Sequence, residues 1–349
     1  MAVVRMKDIA RDLGVSVVTV SKALRNHDDI SAETRARVLQ RIRDLNYRPN
    51  LAARALVTGR SYIVGLVVPG LLHSFFAEIA KGLTNVLRKQ GYGLVIATSE
   101  EDPELEEREI EQLLARRVDA LIIATTHLTP ESFDRLEQQE MPYVLIDRRV
   151  EDLQASFVGV DDRTVGFMAT EHLIQVGCKR IAYVYASNMS TALGRMEGYK
   201  KALAKYELPV IPEYIRAHDD VGDATDDTAY ATVKELLEMS EPPDGIFCFN
   251  DPVAVNSMKS ALDAGFRIPE DVAFVGSGNI RHADFLRVPL TSVDQNSIAI
   301  GERAAKMALG MIESKGMESK TAVKPKTVLL EPKLVVRQSS MRTPVVSGR

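Results

Sequence analysis

Residues 7–24 read Lys7-Asp8-Ile9-Ala10-Arg11-Asp12-Leu13-Gly14-Val15-Ser16-Val17-Val18-Thr19-Val20-Ser21-Lys22-Ala23-Leu24, and this stretch decides how the chain begins. Ile9, Ala10 and Leu13 make one apolar stripe on a short helix over Lys7 to Leu13. Gly14 ends it, because glycine enters the left-handed region that a tight turn requires. Val15 then packs inward. Ser16 caps a second helix, Val17 to Leu24, whose Val20, Ala23 and Leu24 face the first helix while Val17, Val18, Ser21 and Lys22 stay outside. Ser31 caps a third helix with Glu33 in its positive first turn, and Val38, Ile42 and Leu45 at helical spacing complete a small core.

A helix, glycine turn, helix unit puts the N-terminal end of its second helix into the DNA major groove, where outward side chains meet base edges. Val17 and Val18 lack hydrogen-bonding side chains and predict contact with thymine methyls. Lys22, one turn on, can reach a guanine edge or a phosphate, and Ser16, Thr19 and Ser21 suit phosphates. Charge points the same way. Residues 1–60 hold 12 Lys/Arg against 6 Asp/Glu, a net of +6, so a chain of net −4 leaves −10 on the other 289 residues. A basic module on an acidic body is the footprint of a polyanionic partner, since Lys and Arg release the counterions condensed on phosphates. Charge by itself leaves a solvated basic face open, and spacing by itself leaves a helix pair of an unrelated helical protein open.

From Ser61 onward β-type runs alternate with amphipathic helices. Ile63 to Val68, Gly93 to Ala97, Ala120 to Ala124 and Tyr143 to Asp147 read as buried strands, with a helix from Phe75 to Gln90. A second series has strands at Ile181 to Tyr185, Gly245 to Phe249 and Val272 to Gly276, and helices at Val165 to Val176, Arg195 to Tyr206, Ala229 to Glu238 and Pro252 to Ala264. Alternation implies parallel sheets, hence two doubly wound lobes with a ligand cleft at the carboxyl ends of their strands.

The totals exclude several classes. At 349 residues and 45% apolar content the chain can bury two or more cores. It has no uninterrupted apolar run of membrane-spanning length, and its charged first eight residues are unlike a secretory leader, so a cytoplasmic, nucleoid-associated location is expected. Cys178 and Cys248 sit in apolar, strand-like surroundings and read as plain buried thiols. The six histidines are scattered without zinc-ligand spacing, so neither metal nor cofactor is expected. Gly276-Ser277-Gly278 begins like a dinucleotide fingerprint, but Arg281 stands where its third glycine belongs. With no P-loop lysine and no nucleophile elbow, catalysis is not expected.

Taken together, Lys7-Asp8-Ile9-Ala10, the run from Gly14 to Leu24 and Leu45-Asn46-Tyr47-Arg48-Pro49-Asn50 resemble the headpiece of the lactose-repressor/galactose-repressor family. The likeness continues through Ala52-Ala53-Arg54-Ala55-Leu56 and on to about residue 338. It implies an all-α three-helix headpiece at 1–48, a hinge helix and linker at 49–60, and a periplasmic-binding-protein-like core at 61–340. Lobe one would comprise 61–161 and 294–324, lobe two 162–293 and 325–340, with crossovers near 161, 293 and 325 and a flexible tail at 341–349. The tail has no leucine heptads for a tetramer.

The resemblance also implies partners: pseudo-palindromic double-stranded operator DNA, a second copy of the chain, and a small-molecule effector, either a sugar or a sugar-derived metabolite. The hinge, Asn50 to Val57, is too short for a stable isolated helix and should fold only when docked. In the family two such helices lie in the minor groove and a leucine from each wedges into the central base step. That places the wedge on Leu56, with Ala53 permitting close approach and Asn50 opening the segment; Leu56 as a linker residue resting on the core is the alternative. Effector residues carried over are Arg195, Asn250, Asp251 and Gln295, with Asp147 at the end of a first-lobe strand and Phe75 and Phe76 either stacking on a ring or filling the core. Gly278 departs from the pattern: most sugar-responsive relatives have a hydroxyl-binding aspartate there, which argues against a simple sugar unless Asn279 substitutes through space. Lys22 for the commoner arginine and Arg5 for a helix-capping threonine are milder departures. A solute receptor without DNA function is the rival reading.

Overall fold

Gly14 takes φ +66° at the end of α1 (Met6–Leu13), and Val15 N–H closes back onto Ala10 O at 3.0 Å, so the chain turns sharply into α2 (Val17–Leu24). Ser16 caps that helix by accepting from Thr19 N–H at 3.0 Å, and Ser31 caps α3 (Ala32–Asp44) through Thr34 N–H at 3.2 Å. Ile9, Ala10, Val20, Ala23 and Val38 are the buried center, with Leu13, Val15, Leu24, Ile42 and Leu45 packed around it. Where the family has a threonine, Arg5 makes no side-chain cap; its backbone N–H instead donates to Asp8 Oδ2 at 2.9 Å.

The computed structural model describes residues 4–24, 28–47, 55, 58–72, 74–186, 189–218, 228–315 and 324–342. Contacts divide the chain into two units, 1–61 and 62–349. No helix among the described residues is long and apolar enough to cross a membrane.

The second unit holds two six-stranded sheets. The first is built from β1 (Ile63–Val68), β2 (Gly93–Thr98), β3 (Ala120–Ile123), β4 (Tyr143–Ile146), β5 (Ser156–Val160) and a late strand, β11 (Thr327–Leu330), all parallel and ordered β2-β1-β3-β4-β5-β11. The second is built from β6 (Ile181–Ala186), β7 (Ile215–His218), β8 (Gly245–Cys248), β9 (Ala273–Ser277), β10 (Thr291–Asp294) and β12 (Lys333–Val335), ordered β7-β6-β8-β9-β10-β12 with β12 antiparallel on the edge. The order reverses at β1 in one lobe and at β6 in the other, which opens a crevice at the carboxyl ends of the strands. The third crossing corrects the expected one: β11 still pairs with β5, so the chain changes lobe between Leu330 and Lys333 and not near 325. Glu331-Pro332 supplies the break, since proline cannot donate to a continuing ladder.

Each sheet buries both faces. Val64, Leu66, Ile79, Leu83, Ile122 and Ile300 fill one side of the first, Val67, Leu113, Leu121, Ile123 and Phe133 the other. In the second lobe two helices, Asp162–Gln175 and Ser190–Lys205, approach closely because Gly166 and Gly198 face them. A Cβ on Gly166 would lie 2.0 Å from Arg195 O, and one on Gly198 2.1 Å from Arg163 O. That contact sets the height at which Arg195 leaves its helix, and it ties packing directly to the cleft.

Candidate functional site

In the first unit the residues expected to read bases lie at the surface of α2. Val17 and Val18 are 45% and 61% exposed, while Val20 and Ala23 are buried. Ser16 and Thr19 spend hydroxyls on each other (2.9 Å), and no acidic residue occupies the first turn of α2, so its positive end is open to phosphate. Lys22 forms an ion pair with Asp29, both half-exposed. Ser21 is half-buried. Asn50, Ala53 and Leu56 lie outside the described residues; Ala55 and Thr58 are helical, and Gly59 N–H donates to Ala55 O at 2.8 Å.

In the second unit a cleft of about 360 Å³ opens between the lobes. Much of the wall directly follows strands: Pro69 to Leu72 after β1, Asp147 and Arg148 after β4, Phe249 and Asn250 after β8, Ser277 at the end of β9 and Gln295 after β10. Six expected effector residues, Phe75, Phe76, Asp147, Arg195, Asn250 and Gln295, line it together. Phe75 and Phe76 meet edge to face, ring centroids 5.2 Å apart, and belong to the first lobe's core as well as to the cleft wall.

Arg195 is the center. It is 3% exposed; Nε donates to Asp162 Oδ1 at 2.9 Å, one terminal nitrogen to Phe249 O, and the other to Gln295 Oε1 at 3.3 Å. Gln295 passes the chain on to Ser277 Oγ at 3.1 Å. Three of the five guanidinium N–H groups are thereby used and two remain to meet a ligand. Asp147 sits at φ +61°, and burial raises its carboxyl above the usual range despite the nearby Arg195 and Arg148. Burial likewise pushes Asp162 up to about 7, against the pull of Arg195. Asn250 Oδ1 caps its helix by accepting from Val253 N–H at 2.9 Å, which leaves the amide NH₂ of its side chain for the cleft.

Two expectations need correction. Asp251 is fully buried behind the wall: its carboxylate accepts from Ser292 Oγ at 2.6 Å and Ile280 N–H at 2.8 Å, and burial lifts its pKa to about 6. It ties Ile280 and Ser292 together and is not part of the cleft lining. Asn279 does not substitute for the aspartate missing at Gly278; its side chain accepts from Arg337 at 2.9 Å and donates to Asp294 at 3.3 Å, outside the lining. Gly278, at φ +125°, backs onto Asp251: a Cβ there would lie 3.7 Å from Oδ2, so a carboxylate at this position would face another.

Sequence reasoning missed Arg148 and Glu101, joined by a bidentate pair at 2.5 and 2.6 Å, and Asp162, the anchor of Arg195. It also missed the contacts that bridge the lobes. Arg281 Nε donates to Glu78 Oε1 at 3.0 Å across one rim, with Ser297 on the other Glu78 oxygen, and Arg149 N–H donates to Ser190 Oγ at 3.1 Å across the other. Cys178 and Cys248 are free and buried, their thiols pushed up to about 12 by burial. Among the described residues no group of His, Cys, Asp and Glu could hold a metal ion.

Comparison with known proteins agrees with both halves. Residues 5–50 match a family model described as bacterial regulatory proteins, lacI family, and residues 61–331 one described as periplasmic binding proteins and sugar binding domain of LacI family. The HTH-type transcriptional repressor PurR of Haemophilus influenzae (strain PittEE) is 30% identical over 340 residues, covering 96% of this chain and 98% of the relative. Catabolite control protein A of Priestia megaterium is 30% identical over 319 residues, 90% of this chain and 95% of the relative. Among solved structures, a transcriptional regulator CelR–cellobiose complex is similar at TM-score 0.70 and 27% identity over 96% of this chain and 99% of that one. A Lac repressor dimer bound to operator and the anti-inducer ONPF shares the fold at TM-score 0.83 and 23% identity, over 98% and 100% of the two chains.

Proposed function

Since this chain belongs to the LacI family of bacterial regulatory proteins, we propose that it represses transcription as a homodimer whose grip on a pseudo-palindromic operator is set by a metabolite in the cleft at Arg195. It is a DNA-binding transcriptional regulator under small-molecule control, and its curated relatives are regulators and not enzymes. Val17, Val18 and Lys22 would read bases, Ser16, Thr19 and Ser21 would meet phosphates, and the hinge residues Asn50, Ala53 and Leu56 would enter the minor groove. That role would put the protein in the cytoplasm, on the nucleoid.

One observation carries the effector reading: Arg195, held by Asp162, Phe249 O and Gln295, has two N–H groups left over and lines, with Asp147 and Asn250, a cleft that both lobes wall. Donors and acceptors on one side and Phe75 and Phe76 on the other suit a polyhydroxylated molecule with one apolar face. A sugar-derived metabolite fits; a ligand touching both lobes favors their closed arrangement, and closure would reset the hinge. Selection of the full-length protein against a random duplex library tests this. The expected outcome is a symmetric consensus whose affinity falls steeply with salt on a log–log plot, since each phosphate contact contributes about 0.9 to the slope. Enrichment of no sequence would defeat the reading.

A further inference from the structure

We infer that the effector bears an anionic group, phosphate or carboxylate, which seats in a second cavity beside the main cleft; this rests on the reading of that cleft as the effector site. The second cavity has about 320 Å³ and is walled by Thr125 to Leu128 of the first lobe and by Met189 and Ser190 of the second. It shares Glu101, Arg148 and Met189 with the main cleft, so one molecule can occupy both.

The two compartments differ in charge. Asp147 and Glu100 face the main cleft, and Arg195 is already tied to Asp162. In the side cavity the only lining carboxylate among the described residues, Glu101, is gripped on both oxygens by Arg148. Glu106, fully buried behind the loop, is occupied by Thr125 Oγ1 at 2.6 Å, Thr126 N–H at 2.7 Å and Thr126 Oγ1 at 2.8 Å. These bonds stiffen the wall and occupy the carboxylate behind it.

What remains is positive. Arg149 lies 4.1 Å from the Phe157 ring center with no carboxylate partner among the described residues. The helix Ser190–Lys205 starts at the cavity without a side-chain cap or an acid in its first turn. His127 is nine-tenths buried in the wall, its Nε2 without a hydrogen bond among the described residues and 3.9 Å from the exposed Glu107. An arginine fork, an open helix N-terminus and an imidazole nitrogen together make an anion seat. The polyol part of the effector would then lie along Arg195 with its charged end beyond the Arg148–Glu101 pair.

Calorimetry of the full-length protein with inorganic phosphate, at constant ionic strength, tests this. Saturable binding in the millimolar range is expected, weakened about tenfold or more in Arg149→Gln and unchanged in Lys306→Gln, which removes one exposed charge elsewhere. The Arg149 backbone bond to Ser190 survives the substitution, so the lobes should still meet. Glucose 6-phosphate and gluconate, run beside glucose, report phosphate against carboxylate: either anion binding more tightly than glucose supports the seat. No saturable phosphate binding, or equal affinity in Arg149→Gln, overturns it. A protein that selects an operator yet ignores phosphate keeps its regulator role and loses only this inference.

Discussion

An Arg195→Ala variant binds effector about a hundredfold more weakly or worse while its headpiece still selects operator. The guanidinium holds Asp162, Phe249 O and Gln295 at once, and its loss strands the Asp162 carboxylate. Breaking a buried ion pair by removing one partner costs about 3–5 kcal/mol, so the receptor unit should also unfold earlier in denaturant. The deficit depends on pH. Asp162 already titrates near 7 because it is buried, which means the folded state prefers it protonated and loses stability as pH rises through that value. Without Arg195 the carboxyl is held higher still, so the gap between variant and parent should be small in acid and widen above about pH 7. Denaturation of the two proteins at several pH values and calorimetry with the effector measure both effects; full effector affinity in the variant would remove Arg195 from the site.

Replacing Val17 and Val18 together by alanine should lower operator affinity by about 1–3 kcal/mol in all, roughly fivefold to more than a hundredfold. Both side chains are exposed, at 45% and 61%, and neither belongs to the buried center of Ile9, Val20, Ala23 and Val38, so thermal stability should hardly move. Non-specific binding, which is phosphate-driven, should keep its salt slope. Fluorescence anisotropy with operator and scrambled duplex separates these outcomes. Equal losses on both duplexes would mean that the pair positions the backbone and does not read bases.

The headpiece was legible because each device in it is local. Gly14 turns, Ser16 and Ser31 cap, and the apolar spacing closes over a few residues, so composition dictated geometry with no help from distant chain. Arg195, Asn250 and Gln295 came from the family resemblance; all three line the cleft, Asn250 and Gln295 because they follow parallel strands and Arg195 from within the helix Ser190–Lys205. Asp251 failed for a physical reason. Asn250 caps its helix, so the next side chain starts inside the first turn and points back into the lobe, where Ser292 and Ile280 satisfy it. Arg148 and Glu101 were invisible because 47 residues separate them and neither carries a local signal. The strands at Thr327–Leu330 and Lys333–Val335 are four and three residues long and largely uncovered, too short for alternation to reveal the lobe change between them.

The central claim is that the cleft and the headpiece share one equilibrium, so ligand and operator must alter each other's affinity by the same factor, typically about 5 to 150-fold. The direct measurement takes the metabolite that most raises the melting temperature, then determines its dissociation constant with and without saturating operator, and the operator's with and without saturating metabolite. Equal factors in both directions are expected. A metabolite that fills the cleft and leaves operator affinity untouched would contradict the account.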